Sequence, residues 1–188
     1  MKIRNLGVKF DQKIVFNDFN FDFTDGELYI LDGNSGKGKT TLFNVISGVL
    51  KHFEGEVDLC GKKVAYMFQE DRLFGDFTVL ENVVCVTKET EKDIEFSKTI
   101  LKELGLGDEL NSYPDNLSGG MRRRVALART IVYGGDIVLL DEAFKGLDET
   151  TCKTAIETVL KYTQGKTVLV AAHMLDKNLF GKCTIINL

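Results

Sequence analysis

The sequence predicts an α/β fold with a mixed, mainly parallel sheet, an N-terminal antiparallel β subdomain and an inserted α-helical subdomain. Three observations carry this expectation. A glycine-rich loop, Gly33–Thr41, lies between the apolar run Leu28–Leu31 and the helical run Leu42–Ile46. In the last third, wholly apolar strands alternate with helical segments, as in a parallel sheet covered on both faces. Near the N-terminus, Phe19, Phe21 and Phe23 alternate with Asn20 and Asp22, the period-2 pattern of a half-buried antiparallel strand.

In chain order, residues 2–10 and 13–23 read as two strands joined near Asp11-Gln12. Thr24-Asp25-Gly26 turns the chain into the 27–31 strand that feeds the glycine loop. Gly55–Cys60 and Lys63–Phe68, joined at Gly61, read as a further hairpin. From Gln69 the character changes. Thr78-Val79-Leu80-Glu81 is a capping-box pattern that starts a short helix to about Val86. A more polar helix, Thr90–Leu104, stops at Gly105, and a short helical stretch follows toward Leu110. After the break at Tyr113-Pro114, Ser118 caps a long helix over Gly119–Tyr133. This helical block, about residues 70–134, reads as an insertion within a single domain spanning 1–188. The strand Ile137–Leu140, the helix Glu149–Gln164, the strand Thr167–Ala172, a short helix and the strand Thr184–Leu188 complete the chain.

The loop Gly33-Asn34-Ser35-Gly36-Lys37-Gly38-Lys39-Thr40-Thr41 has the spacing G-x-x-x-x-G-K-[ST] in its required strand–loop–helix setting. Glycines let successive backbone N–H groups turn inward around an anion. The helix N-terminus adds partial positive charge. Lys39 supplies a full charge for β- and γ-phosphates, and the Thr40 hydroxyl suits Mg²⁺. The loop therefore points to a nucleoside triphosphate, within a P-loop NTPase core.

Composition narrows the setting. The chain has 188 residues, 44% of them hydrophobic and 28% charged, enough for one domain with a real core. Its formal charge of −4 argues against nucleic acid as a partner. No apolar run approaches the ~20 residues of a membrane span, and Met1–Asn5 lacks the apolar region of a signal peptide. Cys60, Cys85, Cys152 and Cys183 show no metal-ligand spacing and read as free thiols of a cytosolic protein. Arg122-Arg123-Arg124 fan over most of a helical turn and so form no single stripe; they read as a solvated face with local ion pairs.

Two strand ends add chemistry. In an open α/β sheet, ligands lie beyond the carboxyl ends of the strands. Ile137–Leu140 ends there in Asp141-Glu142, the first placed to hold Mg²⁺ and the second to polarise a water for attack on the γ-phosphate. His173 follows the strand Thr167–Ala172 in the same way. Leu117-Ser118-Gly119-Gly120 places a serine cap and two glycines at a helix start, a second anion site. One triphosphate needs one such site per chain. The simplest physical explanation is that the second serves a nucleotide held by another copy.

With these motifs in place the chain resembles the ATP-binding cassette (ABC) ATPases, the nucleotide-binding subunits of ABC transporters. The resemblance covers nearly the whole length: the loop 33–41, Gln69 after a strand, Leu117–Gly120, Ile137–Glu142, Gly146-Leu147-Asp148 and His173, in the family's order. It implies the ABC ATPase fold and a head-to-tail dimer, with ATP on Lys39 and Thr40 of one copy closed over by Ser118, Gly119 and Gly120 of the other. It further implies that Phe10 stacks on adenine and that Gln69 links Mg²⁺ and the attacking water to the helical subdomain. Asp148 would cross the interface, and His173 would contact the γ-phosphate. Membrane permease subunits would dock near Gln69–Val83, with Leu73, Phe74 and Phe77 lining a groove for a short helix. A solute-binding protein would complete an importer, and the chain would lie on the inner face of the cell membrane.

The segment Phe68–Val83 and Leu-Ser-Gly-Gly-Met are similar to ATPases of nitrate/sulfonate/taurine-type importers, although Gly75-Asp76 stands where that branch carries Pro-Trp. Met121 replaces the family's usual glutamine. Asn34, Lys37 and Thr40 replace commoner loop residues, and Ala143 and Lys145 replace a proline and a serine near Asp148. None removes a chemical role, so an active hydrolase is expected. The chain ends soon after His173, so no regulatory C-terminal domain is expected. A cofactor-assembly ABC ATPase is the competing function. A P-loop kinase would not need Leu-Ser-Gly-Gly, and no Asn-Lys-x-Asp guanine reader is present.

Overall fold

The computed structural model describes residues 1–172 and 176–188. His173, a sequence-predicted site residue, lies outside the described residues. Strands β1 (Lys2–Phe10), β2 (Lys13–Asp22) and β4 (Glu54–Asp58) form an antiparallel sheet in the order β2-β1-β4. Strands β3 (Leu28–Asp32), β5 (Val64–Met67), β6 (Ile137–Asp141), β7 (Thr167–Ala171) and β8 (Thr184–Asn187) form a parallel sheet in the order β5-β6-β7-β3-β8. Helix α1 (Lys39–Ile46) follows β3. Helices α2 (Val79–Val84), α3 (Glu91–Glu103) and α4 (Gly119–Tyr133) form the block between β5 and β6, and α5 (Glu149–Tyr162) connects β6 to β7.

Period-2 side-chain alternation splits the core across the parallel sheet. Ile30, Val138, Leu140, Val168 and Val170 face the cluster built from α2–α5. Their neighbours Tyr29, Leu31, Leu139, Leu169 and Ala171 face α1 and the antiparallel sheet. Every residue of β6 and β7 is buried, which explains their unbroken apolar runs.

The expected second hairpin is not formed. A tight turn does close at Cys60-Gly61: both residues have positive φ, 53° and 73°, and the Lys62 N–H bonds to the Leu59 carbonyl at 3.1 Å. Yet β4 pairs with β1, opposing Arg4 to Glu56, whereas β5 pairs with β6, opposing Val64 to Ile137. Polarity decides this partition. Glu54, Glu56 and Asp58 suit a solvated edge strand, while Val64–Met67 is apolar on both faces and joins the sheet buried on both sides.

The helix boundaries follow the capping signals. Thr78 and Glu81 bond reciprocally at the start of α2, and Thr90 and Asp93 do so for α3. The Ser118 side chain accepts the Met121 N–H at the start of α4. No helix among the described residues is long and apolar enough to cross a membrane, and the cysteines are free.

One buried side chain fixes the loop before α2. Asn82 is fully buried. Its amide donates to the carbonyls of Phe74, Phe77 and Thr78 at 3.0–3.1 Å, and its oxygen accepts the Phe74 N–H at 2.8 Å. Removing it breaks four bonds to the main chain and strands the Phe74 N–H and the Phe77 carbonyl, while the Phe74 and Thr78 carbonyls keep the Phe77 and Asn82 N–H groups. Asn82→Ala is therefore expected to lower stability by roughly 2–3 kcal/mol, read from the urea midpoint; an unchanged midpoint would show that the loop finds other partners.

Candidate functional site

The parallel sheet ends in register. Leu31 and Asp141 both pair with Ala171, and Met67 pairs with Leu140, so the chains leaving β3, β5 and β6 emerge together. They surround a recess of about 290 Å³ lined by Phe10, Lys13, Val15, Ser35, Gly36, Gly38, Lys39, Thr40, Thr41, Gln69, Asp141 and Glu142. Ten of these twelve, all but Lys13 and Val15, are sequence-predicted site residues. Gly33, Asn34 and Lys37, also predicted, instead line a separate recess with Asp32, Ala172, Asn187 and Leu188.

The glycine loop wraps as its composition requires. Gly38 takes φ 101° at the entry to α1, and a Cβ there would come within 2.7 Å of Val15 Cγ1 and 2.9 Å of the Phe16 ring. Only glycine meets both demands. Lys39 is buried, with its ammonium donating to the carbonyls of Gly33 at 2.5 Å and Asn34 at 3.2 Å. Its three donors are thereby held at the mouth of the loop, where phosphate oxygens could exchange for carbonyls.

Glu142 occupies the left-handed region, φ 50°, unusual for a residue with a side chain. Its N–H bonds to the Ala171 carbonyl at 2.8 Å, and its carboxylate lies 2.7 Å from the Lys145 ammonium and 3.5 Å from the Gln69 amide nitrogen. Asp141, one residue earlier, is almost fully buried, and the Tyr66 hydroxyl donates to it at 3.4 Å. Burial raises the Asp141 carboxyl above its ordinary value, and the Glu142 charge adds to this; hydrogen bonds from Thr40 and Tyr66 oppose it. Burial, followed by the Asp141 charge, also raises the Tyr66 phenol. The hydroxyl and carboxylate of Thr40 and Asp141 are hard oxygen donors that fit Mg²⁺. Among the described residues no cluster of three or more His, Cys, Asp or Glu could hold a metal ion. A cation here would draw its remaining ligands from phosphates and water.

The other predicted residues lie elsewhere. Ser118 and Gly119 are exposed at the start of α4 and do not line the recess. A Cβ on Gly119 would meet nothing within 4 Å, whereas one on Gly120 would touch Leu147 at 3.4 Å. Asp148 caps α5 by accepting the Thr151 N–H at 3.0 Å, and hydrogen bonds from Thr151 hold its carboxyl below the ordinary range. Leu73 packs against the core. Phe74 and Phe77 are 53% and 39% exposed, with ring centroids 5.2 Å apart. Phe74 borders a groove of about 270 Å³ that also includes Phe68, Asp71, Arg72, Val86, Ala126 and Arg129.

The arginine triplet corrects a sequence expectation. It is not a solvated face. Arg122 donates to the Leu117 carbonyl at 2.7 Å and Arg124 to that of Leu104 at 2.7 Å. Arg123 is buried against the carbonyls at the end of β6 and pairs with Asp71 at 2.8 Å. Helical spacing carried the missed signal, because Arg123, Ala126, Leu127 and Thr130 recur at i, i+3, i+4 and i+7 and are all buried. Tyr66 and Lys13 were also missed. Tyr66 is one apolar-strand position among several, and Lys13 reaches the Gly36 carbonyl, at 3.4 Å, only through tertiary folding.

The family model described as ABC transporter matches residues 16–145. The chain belongs to this family. It is an ABC ATPase, the ATP-binding cassette that energises an ABC transporter. It is 32% identical to HrtA of Staphylococcus epidermidis, described as a candidate hemin import ATP-binding protein, over 94% of this chain and 88% of that one. It is also 32% identical to the lipoprotein-releasing system ATP-binding protein LolD of Rickettsia bellii, over 87% and 84%. Among solved structures it is similar to the ATP-binding cassette MJ0796, a dimer in a post-hydrolysis state bound to ADP and Pi. That match has a TM-score of 0.83 and 28% identity, covering 100% of this chain and 93% of that one. The ABC ATPase fold expected from the sequence is thus the fold observed.

The burial of Asp141 gives a signed pH dependence. Its native carboxyl holds a proton to higher pH than the unfolded chain, whose value is near 3.8. Between those values the native state binds more protons, so stability falls as pH rises through the interval and levels off above it. Asp141→Asn is expected to raise the urea midpoint of the nucleotide-free protein at pH 7, with the gain shrinking toward pH 4. Urea melts across that range check this, and an equal or lower midpoint at pH 7 would refute it.

Proposed function

We propose that the chain is the ATP-hydrolysing subunit of a small-solute importer, acting as a head-to-tail dimer of cassettes docked on membrane permease subunits. One observation carries the catalytic part of this reading: the Glu142 carboxylate lies beside the Gln69 amide, in a recess that also holds Lys39, Thr40 and Asp141. In this reading Lys39 and the loop N–H groups bind the β- and γ-phosphates, Phe10 stacks on adenine, and Glu142 polarises the attacking water while Gln69 orients it. Thr40 and Asp141 would hold Mg²⁺, whose charge offsets that developing on the phosphate oxygens.

The exposed Ser118 and Gly119 support a composite site, because their N–H groups lie outside the recess of their own chain. Offered by a second copy, they seal the γ-phosphate, with Asp148 at the same interface and His173 as a further phosphate contact. Hydrolysis removes the group that both copies share, and the dimer reopens. The work available is the differential affinity of the closed dimer for ATP over ADP.

The transporter side rests on the Phe74–Phe77 pair beside the groove at residues 68–86. Exposed aromatics bordering an apolar groove suit the end of a short helix. Such a permease would hold the chain at the inner face of the cell membrane. The importer direction, with a solute-binding protein, and the nitrate/sulfonate/taurine-type branch rest on the 68–83 segment and Leu117–Met121. The import function in the description of HrtA agrees with this direction.

Glu142→Gln is expected to retain ATP binding, lower turnover by about a hundredfold or more, and accumulate an ATP-bound dimer on gel filtration. Turnover at the wild-type rate would end the assignment of Glu142. In native membranes, crosslinks from a Phe74→Cys variant are expected to reach an integral membrane protein. Crosslinks to soluble proteins alone would favour a cofactor-assembly ATPase instead.

A further inference from the structure

The most heavily bonded side chain near the recess has no part in the chemistry described so far. Arg123 is 6% exposed. One terminal nitrogen, Nη2, donates to the carbonyls of Asp141 and Glu142, each at 2.7 Å, and Nε reaches the Glu142 carbonyl at 3.2 Å. The other, Nη1, donates to the Gln69 carbonyl at 2.7 Å and to Asp71 Oδ1 at 2.8 Å. A single planar guanidinium thus ties the main chain of Gln69 to that of Glu142, and its own helix, α4, begins five residues earlier at the Ser118 cap.

Each tie answers a local need. The β6 strand ends at Asp141, and the chain turns out of the sheet through Glu142 at φ 50°, a conformation disfavoured for a residue with a side chain. The turn is pinned on both sides, by the Ala171 carbonyl accepting from the Glu142 N–H and by Arg123 donating to the Glu142 carbonyl. Gln69 sits on an irregular stretch after β5, and its carbonyl is held by the same guanidinium. The guanidinium fork is rigid, so it holds at a set spacing the two main chains whose side chains meet at 3.5 Å.

We propose that Arg123 is a positioning residue for hydrolysis: it sets Glu142 and Gln69 against each other and makes their geometry follow the movement of α4. Arg123 does not line the recess. It acts by transmitting the position of the Ser118 end of α4 to the end of β6. A cassette whose α4 is seated on a second copy therefore presents a different Glu142–Gln69 geometry from one whose α4 is free.

This inference rests on the assignment of Glu142 above, and the experiment separates the two. Arg123→Gln and Arg123→Lys are purified as full chains beside the wild type and Glu142→Gln. For each, thermal melting, binding of the fluorescent nucleotide TNP-ATP, and kcat and KM for MgATP are measured. The expected result is a fall in kcat of about ten- to hundredfold in both arginine variants, with KM and TNP-ATP affinity within about threefold of wild type. Arg123→Lys is expected not to rescue, because a single ammonium cannot span both carbonyl pairs. A kcat within about twofold of wild type in Arg123→Gln overturns the proposal, as does a loss of kcat matched by an equal loss of nucleotide-binding sites. If Arg123→Gln fails to fold, Asp71→Asn removes the ion pair that aims the guanidinium while keeping the side-chain volume. There a severalfold fall in kcat with unchanged TNP-ATP affinity supports the proposal, and an unchanged kcat overturns it. A fully active Glu142→Gln removes the assignment of Glu142. An inactive Glu142→Gln beside a fully active Arg123→Gln removes only the role of Arg123.

Discussion

The in-register ending of four parallel strands places everything else in this molecule. Ala171 is flanked by Leu31 on one side and Asp141 on the other, and Met67 lies beside Leu140. Parallel strands all run out at the same edge, so the glycine loop, Gln69 and Glu142 leave the sheet within reach of one another. A slip of one residue in any strand would turn its side chains to the opposite face. The two cores enforce the register, because β3, β5, β6 and β7 each alternate residues between them. The recess is thus a consequence of burying apolar side chains on both faces of a sheet.

Polar groups at that edge bond one another. Lys39 bonds the carbonyls of its own loop, Asp141 receives the Tyr66 hydroxyl, and Arg123 serves the carbonyls around Asp141 and Glu142. Among the described residues no buried side-chain nitrogen or oxygen lacks a partner. Such mutual satisfaction makes buried charge tolerable and keeps the groups in place before a ligand arrives. The contrast is Glu142. Its carboxylate is held by the exposed Lys145 and distantly by Gln69, and an exposed ion pair contributes only about 0–1 kcal/mol. The backbone of this residue is fixed while its side chain remains free to respond.

Helix α4 joins the two sides of the molecule. Its capped start presents Ser118 and Gly119 to the outside, and its second turn carries Arg123 into the end of β6. Further along, Arg129 donates to the carbonyls of Asp71 and Arg72, beside the groove that Phe74 borders. Asn82 holds that loop from the other direction. The segment between Gln69 and Thr78 is therefore gripped by α2 and α4 together, and a force applied at the groove has a bonded route to the recess.

Much of this was legible in the sequence, because the signals are local. Capping residues set the starts of α2, α3 and α4, and the glycine loop needed only its own spacing and its strand–helix setting. Unbroken apolar runs marked β6 and β7 as buried on both faces, since no alternation survives when both sides are covered. The failures are those of long-range choice. The Cys60-Gly61 turn formed as its residues require, yet its two strands went to different sheets, because pairing is decided by which face each strand must bury. Arg123 carries the same charge as its two neighbours, and only the packing of α4 against β5 and β6 turned it from a surface cation into the bond between Gln69 and Glu142. The sequence by itself pointed to a nucleoside triphosphate and supplied the glycine loop and the strand-end residues that line the recess. Only the tertiary structure decided how that edge is held, since hydrogen bonds between residues 18 to 75 positions apart leave no local pattern to read.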